Sequence, residues 1–340
     1  MSNPVLVEVV RGALVESRHG GAVAVVDADG ATVLALGDVA RPVYPRSAVK
    51  ALQALPFVES GAADKYGFGD QEIALACASH GGEPGHVEVA SRMLARAGLD
   101  SGALECGAHW PSHQPSTQVL ARSGAAPSAL HNNCSGKHSG FLCVACAAGV
   151  EHRGYVKAEH FVQREVRGAL ESLTGVGSSV DACGIDGCSI PTWAVPLDRL
   201  AHAFARFGTG QGLSPERAKA AARIRAACAA QPYFVAGTGR FCTEVMKLFG
   251  TRVLVKTGAE GVFCGALQEQ GLGIALKCDD GATRASEVAM AVMIARFLPM
   301  SEDERGAVDR FLRPTLRNWN GIEVGGLRPS DALLHGQRGG

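Results

Sequence analysis

Ser47 and Lys50 form a serine–lysine pair with the spacing S-x-x-K. We expect a short helix from Ser47 to just before Pro56, and residues three apart on a helix share one face. A neutral lysine could take the serine proton and make the hydroxyl a nucleophile, provided that burial or a second cation keeps the amine uncharged. The pair alone is not specific, because a helix-capping serine near a solvated lysine has the same spacing.

A second serine and a second lysine follow farther along the chain. Ser79 opens a Ser-His-Gly triplet after an apolar run, and Lys256 opens Lys-Thr-Gly directly after a predicted strand. The order S-x-x-K, Ser-His-Gly, K-T-G resembles the motif set of the serine β-lactamases and penicillin-binding proteins, whose middle element is usually S-D-N. The three elements favour a serine hydrolase with the pairs Ser47/Lys50 and Ser79/Lys256. His-Gly in place of Asp-Asn argues against a true penicillin enzyme.

Two cysteine-containing segments could bind a metal. One is a polar cluster at the start of a helix, where Cys134, Lys137 and His138 lie within about one turn. The other is a glycine-rich segment that contains Asp186 and Cys188. The two cysteines could share a zinc ion with a nitrogen or oxygen ligand. The alternative is structural, with an asparagine cap before the helix and a half-buried cysteine.

Hydrophobic patterning predicts strands at both ends of the chain and helices between them. The predicted strands are 6–10, 23–26, 32–36, 252–255, 262–267 and 273–278. The predicted helices are 86–97, 134–149, 159–173, 197–207, 215–230 and 283–297. This order predicts an α+β fold, in which an antiparallel sheet is covered by helices and a helical subregion spans about 134–231. We expect a single unit over residues 1–334 and a flexible tail at 335–340.

The composition narrows the class of protein. The 340 residues carry 33 Lys+Arg and 33 Asp+Glu, which argues against partners recognised by bulk charge, such as nucleic acid or an anionic membrane surface. No run of about 18 apolar residues predicts a membrane-spanning helix. The 11 cysteines, an odd number, and the lack of a recognisable export signal predict free thiols and a cytoplasmic protein. Most of these cysteines are expected to be packing residues.

Seven segments taken together resemble the rhizobial-type L-asparaginases, also called the asparaginase II family. They are Arg46–Lys50, Ser79–Gly82, His131–Gly140, Cys183–Thr192, Val235–Arg240, Lys256–Gly261 and Gly271–Arg284. With the N-terminal strands they cover nearly the whole chain. Seven motifs in register are far more specific than any one of them.

The resemblance implies a fold similar to the serine β-lactamases, the penicillin-binding proteins and the glutaminases. It implies hydrolysis of L-asparagine to L-aspartate and ammonia, usually by a homodimer. It also implies a zinc ion held by the residues that match the family's ligands, Cys134, Lys137 and Cys188. Lysine is a rare zinc ligand because only its neutral amine binds, and the ion would displace the proton.

The resemblance suggests a mechanism for the two serine–lysine pairs. Ser47 would attack the side-chain amide carbon, and Lys50 would accept its proton. Ser79 and Lys256 would relay protons and deliver one to the leaving ammonia. Backbone N–H groups, one of them at Ser47, would hold the oxyanion.

Four further residues are predicted to bind the substrate. Arg46 would pair with the α-carboxylate in a two-pronged way. His138 and Asp186 would anchor the α-amino group and orient the zinc shell, and Gly81 would line the site. Zinc would position the substrate rather than activate water.

Other classes of function stay open on the sequence alone. One is a related amide hydrolase, either a glutaminase or a penicillin-type acyl enzyme. Another is a non-catalytic protein that binds zinc or an amino acid on the same fold. The two serines and two lysines argue against the non-catalytic alternative, and ammonia release from asparagine or glutamine separates the enzymes.

Overall fold

The structure is a computed structural model that describes residues 2–336. Within them the chain divides into two compact units. The sheet unit contains the chain up to Ala48, Val195–Gly212 and the chain from Arg252 onward, and the helical unit contains Val49–Ala194 and Leu213–Thr251. The single unit expected over 1–334 stays a prediction. Of the predicted tail at 335–340, residues 337–340 lie outside the described residues.

The β-strands follow one another along the chain with long gaps in the helical unit. They are β1 (Val5–Arg11), β2 (Leu14–Asp27), β3 (Thr32–Leu36), β4 (Pro42–Val43), β5 (Cys183–Ile185), β6 (Pro191–Trp193), β7 (Val195–Pro196), β8 (Val253–Thr257), β9 (Val262–Leu267), β10 (Leu272–Cys278), β11 (Thr315–Arg317) and β12 (Glu323–Pro329).

The α-helices are short in the first third of the chain and longer afterwards. They are α1 (Lys50–Gln53), α2 (Leu55–Glu59), α3 (Ala62–Lys65), α4 (Asp70–Ala76), α5 (Pro84–Arg96), α6 (Gln114–Arg122), α7 (Ser135–Ala148), α8 (Phe161–Thr174), α9 (Leu197–Thr209), α10 (Pro215–Ala230), α11 (Pro232–Ala236), α12 (Phe241–Phe249), α13 (Thr283–Phe297), α14 (Glu302–Leu312) and α15 (Asp331–His335). Short 3₁₀ segments lie at Arg46–Val49, Ser101–Ala103, Ala129–His131, Val180–Ala182 and Gly250–Arg252.

The main sheet of the sheet unit is antiparallel. Its strands lie in the order β11-β12-β1-β2-β10-β9-β8, and β3 pairs with β2 beside this path. β2 is 14 residues long, so its first half pairs with β1 while its second half pairs with β10 and β3. Two strands thus share the C-terminal half of β2, and the sheet branches there.

Helices cover this sheet on both faces. α9 packs on β2, β9 and β10, and α13 packs on β9, β10 and β12. Successive residues of a strand face opposite sides. In β9, position 265 faces Met290 of α13 while Ala266 faces Gly208 of α9. Strands covered on both faces are mostly apolar, and β8 and β9 are buried at every residue, including Lys256 and Thr257 at the end of β8.

The helical unit is built around α7. This helix is rich in small residues, and it is buried continuously from Ser135 to Ala145. It packs against α2, α4 and α5, while α10 packs against α2 and α4. Small side chains let neighbouring helices approach closely on all sides, so α7 can occupy the centre of the unit.

The α+β fold class predicted from the sequence is confirmed. The bounds predicted at 32–36, 215–230, 262–267 and 283–297 agree with β3, α10, β9 and α13. The helix expected from Ser47 to just before Pro56 is confirmed as the 3₁₀ segment Arg46–Val49 followed by α1, which ends at Gln53. Pro56 lies in the first turn of the next helix, α2, where a missing N–H costs nothing. The helical subregion begins at Lys50 rather than near 134, because helices of four to seven residues such as α1 to α4 are too short to show periodicity. None of the helices between residues 2 and 336 combines the length and apolarity needed to cross a membrane.

Candidate active site

In the sheet unit, Ser47 lies on the 3₁₀ segment that follows β4 and is half-buried. The preceding residue, Arg46, has a φ of 50°, in the left-handed region that side chains other than glycine rarely adopt. Such a backbone is strained, and strained residues cluster at functional sites. Arg46 is also the predicted partner of the substrate α-carboxylate.

The Lys-Thr-Gly motif passes close to this segment within the sheet unit. A Cβ atom at position 258 would lie 2.9 Å from the Pro45 carbonyl oxygen and 3.1 Å from the Ala48 nitrogen, so only glycine fits without a backbone shift. Lys256 is buried on β8, and its Nζ donates to the Thr257 carbonyl oxygen at 2.8 Å. The sheet unit therefore brings the segment of the predicted nucleophile next to the end of β8.

In the helical unit, Lys50 is the first residue of α1 and is fully buried. Its Nζ donates to the Ala78 carbonyl oxygen and lies 3.0 Å from both Ser79 Oγ and Cys134 Sγ. A charged lysine has three N–H donors, and these three acceptors match them in number. Lys50 is thus held by the Ser79 loop and by the residue that precedes α7.

The loop that carries Ser79 is fixed by backbone and side-chain bonds. Ser79 donates its N–H to the Val235 carbonyl oxygen at 3.0 Å. The buried His80 ring accepts the Gly82 N–H at Nδ1 at 3.1 Å, and its Nε2 lies 2.9 Å from Ser135 Oγ. Burial lowers the pKa of His80 well below its usual range, so the ring is neutral and Nε2 donates to Ser135.

Two thiols and a second buried lysine form a cluster with Lys50. Cys134 caps α7, and Asn132 Oδ1 accepts its backbone N–H at 2.8 Å. Lys137, on the first turn of α7, places Nζ 3.0 Å from the Sγ of Cys188, which follows β5 in the β5–β6 hairpin. The side chains of both cysteines and Lys137 are buried.

The two thiols share a proton unequally. A hydrogen bond with Cys188, together with the charges of Lys50 and Lys137, lowers the pKa of the Cys134 thiol well below its usual range in spite of burial. The same hydrogen bond, and burial, raise the pKa of Cys188. Burial acts to lower the pKa of Lys137, but attraction to the two thiols outweighs it and raises that pKa. The cluster therefore combines a thiol of lowered pKa with a lysine of raised pKa.

This donor set suits zinc. Thiolate sulfur is a preferred zinc ligand, and the ion can displace the proton of a thiol or an amine. Across the described part of the chain, no three His, Cys, Asp or Glu side chains gather closely enough to hold a metal ion by themselves. A metal ion at Cys134 and Cys188 would therefore need the Lys137 amine as its third protein donor. The three residues implied by the family resemblance fit zinc chemically.

Two other predicted substrate-binding residues lie in the helical unit. Gly81 follows Ser79 by two residues and is buried, and its carbonyl oxygen accepts the His113 N–H at 3.0 Å. Asp186 lies in the turn between β5 and β6, half-buried, and its negative charge acts on Lys137. Both therefore lie in the same unit as Lys50 and the thiols.

Each of the two predicted serine–lysine pairs has one residue in the sheet unit and one in the helical unit. Ser47 and Lys256 belong to the sheet unit, and Lys50 and Ser79 belong to the helical unit. The pairs Ser47/Lys50 and Ser79/Lys256 therefore stay predictions. What the helical unit contains is a contact that the sequence did not predict, between Lys50 Nζ and Ser79 Oγ.

His138 is fully buried on α7. Its Nδ1 lies 2.7 Å from Tyr155 Oη, whereas its Nε2 has no hydrogen-bond partner among the described residues. Burial lowers the pKa of His138 well below its usual range, and the charges of Lys137 and Lys50 act in the same direction. Tyr155 was not predicted, because one tyrosine in a turn-rich stretch belongs to no local pattern.

Glu83 is a second residue that the sequence did not identify. It is buried at the end of the Ser79 loop, and its carboxylate accepts the Thr238 N–H at 2.8 Å and the Thr238 hydroxyl at 2.7 Å. Burial acts to raise the pKa of Glu83, but the two bonds from Thr238 outweigh it and lower that pKa. Thr238 belongs to the Val235–Arg240 motif, so Glu83 joins two motifs that lie far apart in the sequence. The sequence feature that could have identified Glu83 is its position directly after Gly81 and Gly82.

The chain matches one family model and is similar to several solved structures. A family model described as L-asparaginase II matches residues 7–329. No curated protein matches the chain significantly. Among solved structures, the chain is similar to a β-lactamase from Mycobacterium bovis, with 16% identity over 82% of this chain and 95% of that chain and a TM-score of 0.41.

The chain is also similar to two solved structures of Mglu. One, the native form in 4.3 M NaCl, has 16% identity over 84% of this chain and 61% of that chain, with a TM-score of 0.38. The other has 14% identity over 78% of this chain and 64% of that chain, with a TM-score of 0.35. Similarity of this size assigns no activity.

Proposed function

The chain belongs to the L-asparaginase II family, and from this premise we propose that it hydrolyses the side-chain amide of L-asparagine to L-aspartate and ammonia. Membership makes the protein an amidohydrolase with a small-molecule substrate, and asparagine is the proposed substrate. The observation that carries the proposal is the buried contact of 3.0 Å between Lys50 Nζ and Ser79 Oγ. In this contact Lys50 donates to the Ser79 hydroxyl oxygen, as a lysine that passes a proton on to a serine would.

The proposed nucleophile is Ser47. Its hydroxyl attacks the amide carbon, and its proton passes to Lys50, three residues farther along the chain. To accept a proton, Lys50 must be neutral. A neutral amine has two N–H groups, so Lys50 could then donate only two of the three hydrogen bonds described above. Strain at Arg46 supports this assignment, because it fixes the backbone immediately before the nucleophile.

The second pair would complete the proton path. Ser79 takes up the proton from Lys50 through their contact and, with Lys256, delivers it to the leaving ammonia. Water then attacks the resulting Ser47 ester, and the same groups pass a proton of this water to Ser47 Oγ, so that aspartate leaves and the Ser47 hydroxyl is restored. Loss of this acid–base path should lower kcat by about 10² to 10⁴.

Polar groups at the site would bind the two ends of the amino acid. Arg46 would pair with the α-carboxylate, and the Asp186 carboxylate would receive the α-ammonium. Gly81 would contribute its backbone beside Ser79. Asp186 is half-buried and next to the thiol-bearing turn, which supports a contact with a small charged ligand.

Cys134, Lys137 and Cys188 would hold zinc. When bound, the ion would supply a fixed positive charge that orients the substrate. Replacing both cysteines, in Cys134→Ala with Cys188→Ala, should abolish zinc binding by the purified protein, as measured by elemental analysis. The matched control is Cys143→Ala with Cys228→Ala, which removes two buried thiols of the same unit and should leave the zinc content unchanged. Equal zinc in both variants would show that the metal site is elsewhere.

An ammonia-release assay on the zinc-loaded protein tests the reaction itself. We expect ammonia from L-asparagine, and loss of this activity after treatment with a chelator would show that the metal contributes. Ammonia from L-glutamine and none from L-asparagine would replace the proposal with a glutaminase. Covalent labelling by a penicillin would indicate a penicillin-type acyl enzyme, and asparagine binding by calorimetry without ammonia release would indicate a binding protein.

We also propose a homodimer, which the family resemblance implies, and a cytoplasmic location, which the free cysteines favour. Light scattering of the purified protein would give twice the chain mass for a dimer. Cell fractionation would test the location. Neither property is needed for the mechanism above.

A further inference from the structure

Tyr155 is fully buried, and its hydroxyl joins two groups of the helical unit. Its Oη accepts the Glu105 backbone N–H at 2.9 Å and lies 2.7 Å from His138 Nδ1. The tyrosine is held independently of the histidine: Gly154 donates its N–H to Glu105 Oε1 at 2.7 Å, and Gln163 Nε2 donates to the Tyr155 carbonyl oxygen at 3.0 Å. Its ring therefore has a fixed position from which to act on His138.

These contacts decide which nitrogen of His138 carries the hydrogen. A tyrosine hydroxyl has one hydrogen to donate, and a lone pair of Tyr155 Oη already accepts the Glu105 backbone N–H. Among residues 2–336, the acceptor within reach of that hydrogen is His138 Nδ1. If Nδ1 carried the hydrogen instead, the tyrosine hydrogen would be buried without an acceptor, which is costly. Nδ1 therefore accepts, and Nε2 carries the hydrogen.

The Nε2–H group of His138 is a buried donor that lacks an acceptor. It has no hydrogen-bond partner within the described part of the chain, and the side chain is fully buried. Buried polar groups are almost always paired, so an unpaired one indicates a ligand that supplies the missing atom.

The proposed substrate limits which acceptor can be missing. Asparagine has two acceptor groups, the side-chain amide oxygen and the α-carboxylate, and the proposed oxyanion site at Ser47 takes the amide oxygen, so the α-carboxylate remains for His138. A nitrogen that carries hydrogen cannot receive an N–H from an ammonium group, and it has no lone pair for a metal. The α-amino group and zinc, the two partners suggested by the sequence, are therefore unsuitable.

We propose that Tyr155 is a positioning residue that fixes His138 as a hydrogen-bond donor to the α-carboxylate of the substrate, an inference that rests on the proposed asparagine hydrolysis. Tyr155 does not touch the substrate. It acts by presenting a hydroxyl hydrogen to Nδ1, which leaves Nε2–H directed to the ligand. Asp186 keeps its role at the α-ammonium group.

The first test is spectroscopic and does not depend on activity. The zinc-loaded protein is labelled with ¹⁵N-histidine, and the His138 signals are identified by their loss in His138→Gln. We expect hydrogen at Nε2 in the unsubstituted protein, a shift of that N–H signal when L-aspartate is added, and a changed tautomer population in Tyr155→Phe. A bare Nε2 in the unsubstituted protein would overturn the proposal even if asparagine is hydrolysed.

The second test is kinetic. Tyr155→Phe should raise the KM for L-asparagine about tenfold, the value of one weakened hydrogen bond to a charged group, and change kcat by less than about threefold. Tyr66→Phe, which removes another hydroxyl from the same unit, should change neither constant. An unchanged KM, or a fall in kcat alone, would contradict the assignment to the α-carboxylate. If the unsubstituted protein releases no ammonia, the proposed function fails, and the tautomer measurement still decides the role of Tyr155.

Discussion

The two units of the chain bury very different side chains. In the described part of the sheet unit, the buried polar residues are His19, Lys256, Thr257 and Ser286. The helical unit buries two lysines whose amines each lie 3.0 Å from a thiol sulfur, together with three histidines, two glutamates and several hydroxyl and amide groups. Burial of polar groups costs free energy unless they are paired, so this concentration needs a reason beyond folding.

We relate this difference to the proposed reaction, in which the two units would contribute different groups. The sheet unit supplies a rigid backbone, in which the Ser47 segment and the end of β8 approach so closely that Gly258 cannot carry a side chain. The helical unit supplies the titratable chemistry, because Lys50, Ser79 and the thiol pair are in direct contact there. Substitutions in the sheet unit should therefore act through position, and those in the helical unit through charge.

The largest expected effect is at Ser47. Ser47→Ala should lower kcat by about 10⁴-fold or more, because a nucleophile cannot be replaced by its neighbours. The free energy of unfolding should change by about 0.5 kcal/mol or less, since the side chain is half-buried. Ammonia release and thermal unfolding measure the two quantities. Ser17→Ala, a half-buried serine on β2, is the control and should leave both unchanged. Near-normal activity in Ser47→Ala would show that Ser47 is not the nucleophile.

Gly258→Ala tests whether the sheet unit acts through position. The new methyl group would lie 2.9 Å from the Pro45 carbonyl oxygen, so the Ser47 segment or β8 must move. A displacement of about 1 Å at a nucleophile can lower kcat about 10²-fold, and overpacking should cost about 1–3 kcal/mol of unfolding free energy. Kinetics at saturating asparagine and chemical denaturation check these values. Full activity in this variant would mean that the close approach does not position the nucleophile.

Glu83→Gln tests the polar network of the helical unit through its pH dependence. The pKa of Glu83 is lowered in the folded protein, so its stabilising effect is present above the unfolded-state value of 4.5 and is lost as the pH falls through the folded-state pKa. Glutamine keeps one acceptor for Thr238 and should cost about 1–2 kcal/mol of unfolding free energy at pH 7. The difference between the two proteins should shrink as the pH falls below 4.5 and through the folded-state pKa of Glu83.

Glu88→Gln is the matched control for this measurement, because that side chain on α5 is 77% exposed. Denaturation curves from pH 7 downward should show no pH-dependent difference for it. A constant difference between the unsubstituted protein and Glu83→Gln at every pH would contradict the assignment of the effect to the carboxylate.

The smallest expected effect is a stabilisation. Gly168 is exposed in the middle of α8, and a methyl group there would meet no atom within 4 Å. Gly168→Ala should raise the unfolding free energy by about 0.5–1 kcal/mol through helix propensity alone and leave kcat unchanged. A loss of activity in this variant would show that the helical unit responds to backbone changes as the sheet unit does.

The sequence was most informative where spacing is local. Alternating and helical patterns predicted β3, β9, α10 and α13 with the bounds that the structure has, and the cysteine–lysine spacing on α7 correctly placed Cys134 and Lys137 near each other. Contacts between distant segments have no local pattern. The Lys50–Ser79 contact spans 29 residues, and the Glu83–Thr238 bonds span 155 residues.

Two further features depend on tertiary packing, which the spacing of residues along the sequence does not predict. Tyr155 reaches His138 because the turn that carries it is bonded to Glu105, far from both in the sequence. The short helices α1 to α4 are set by burial against α7, α8 and α10 rather than by their own periodicity.

We propose that Ser47 is the nucleophile and that Lys50 and Ser79 transfer the protons. Acid quenching of the zinc-loaded protein during turnover of L-asparagine, followed by mass spectrometry of its proteolytic peptides, locates any covalent intermediate directly. We predict a mass increase of one aspartyl group on the peptide that contains Ser47, and its absence in Ser47→Ala. The same mass increase on the peptide that contains Ser79 or Cys134 would show that Ser47 is not the nucleophile.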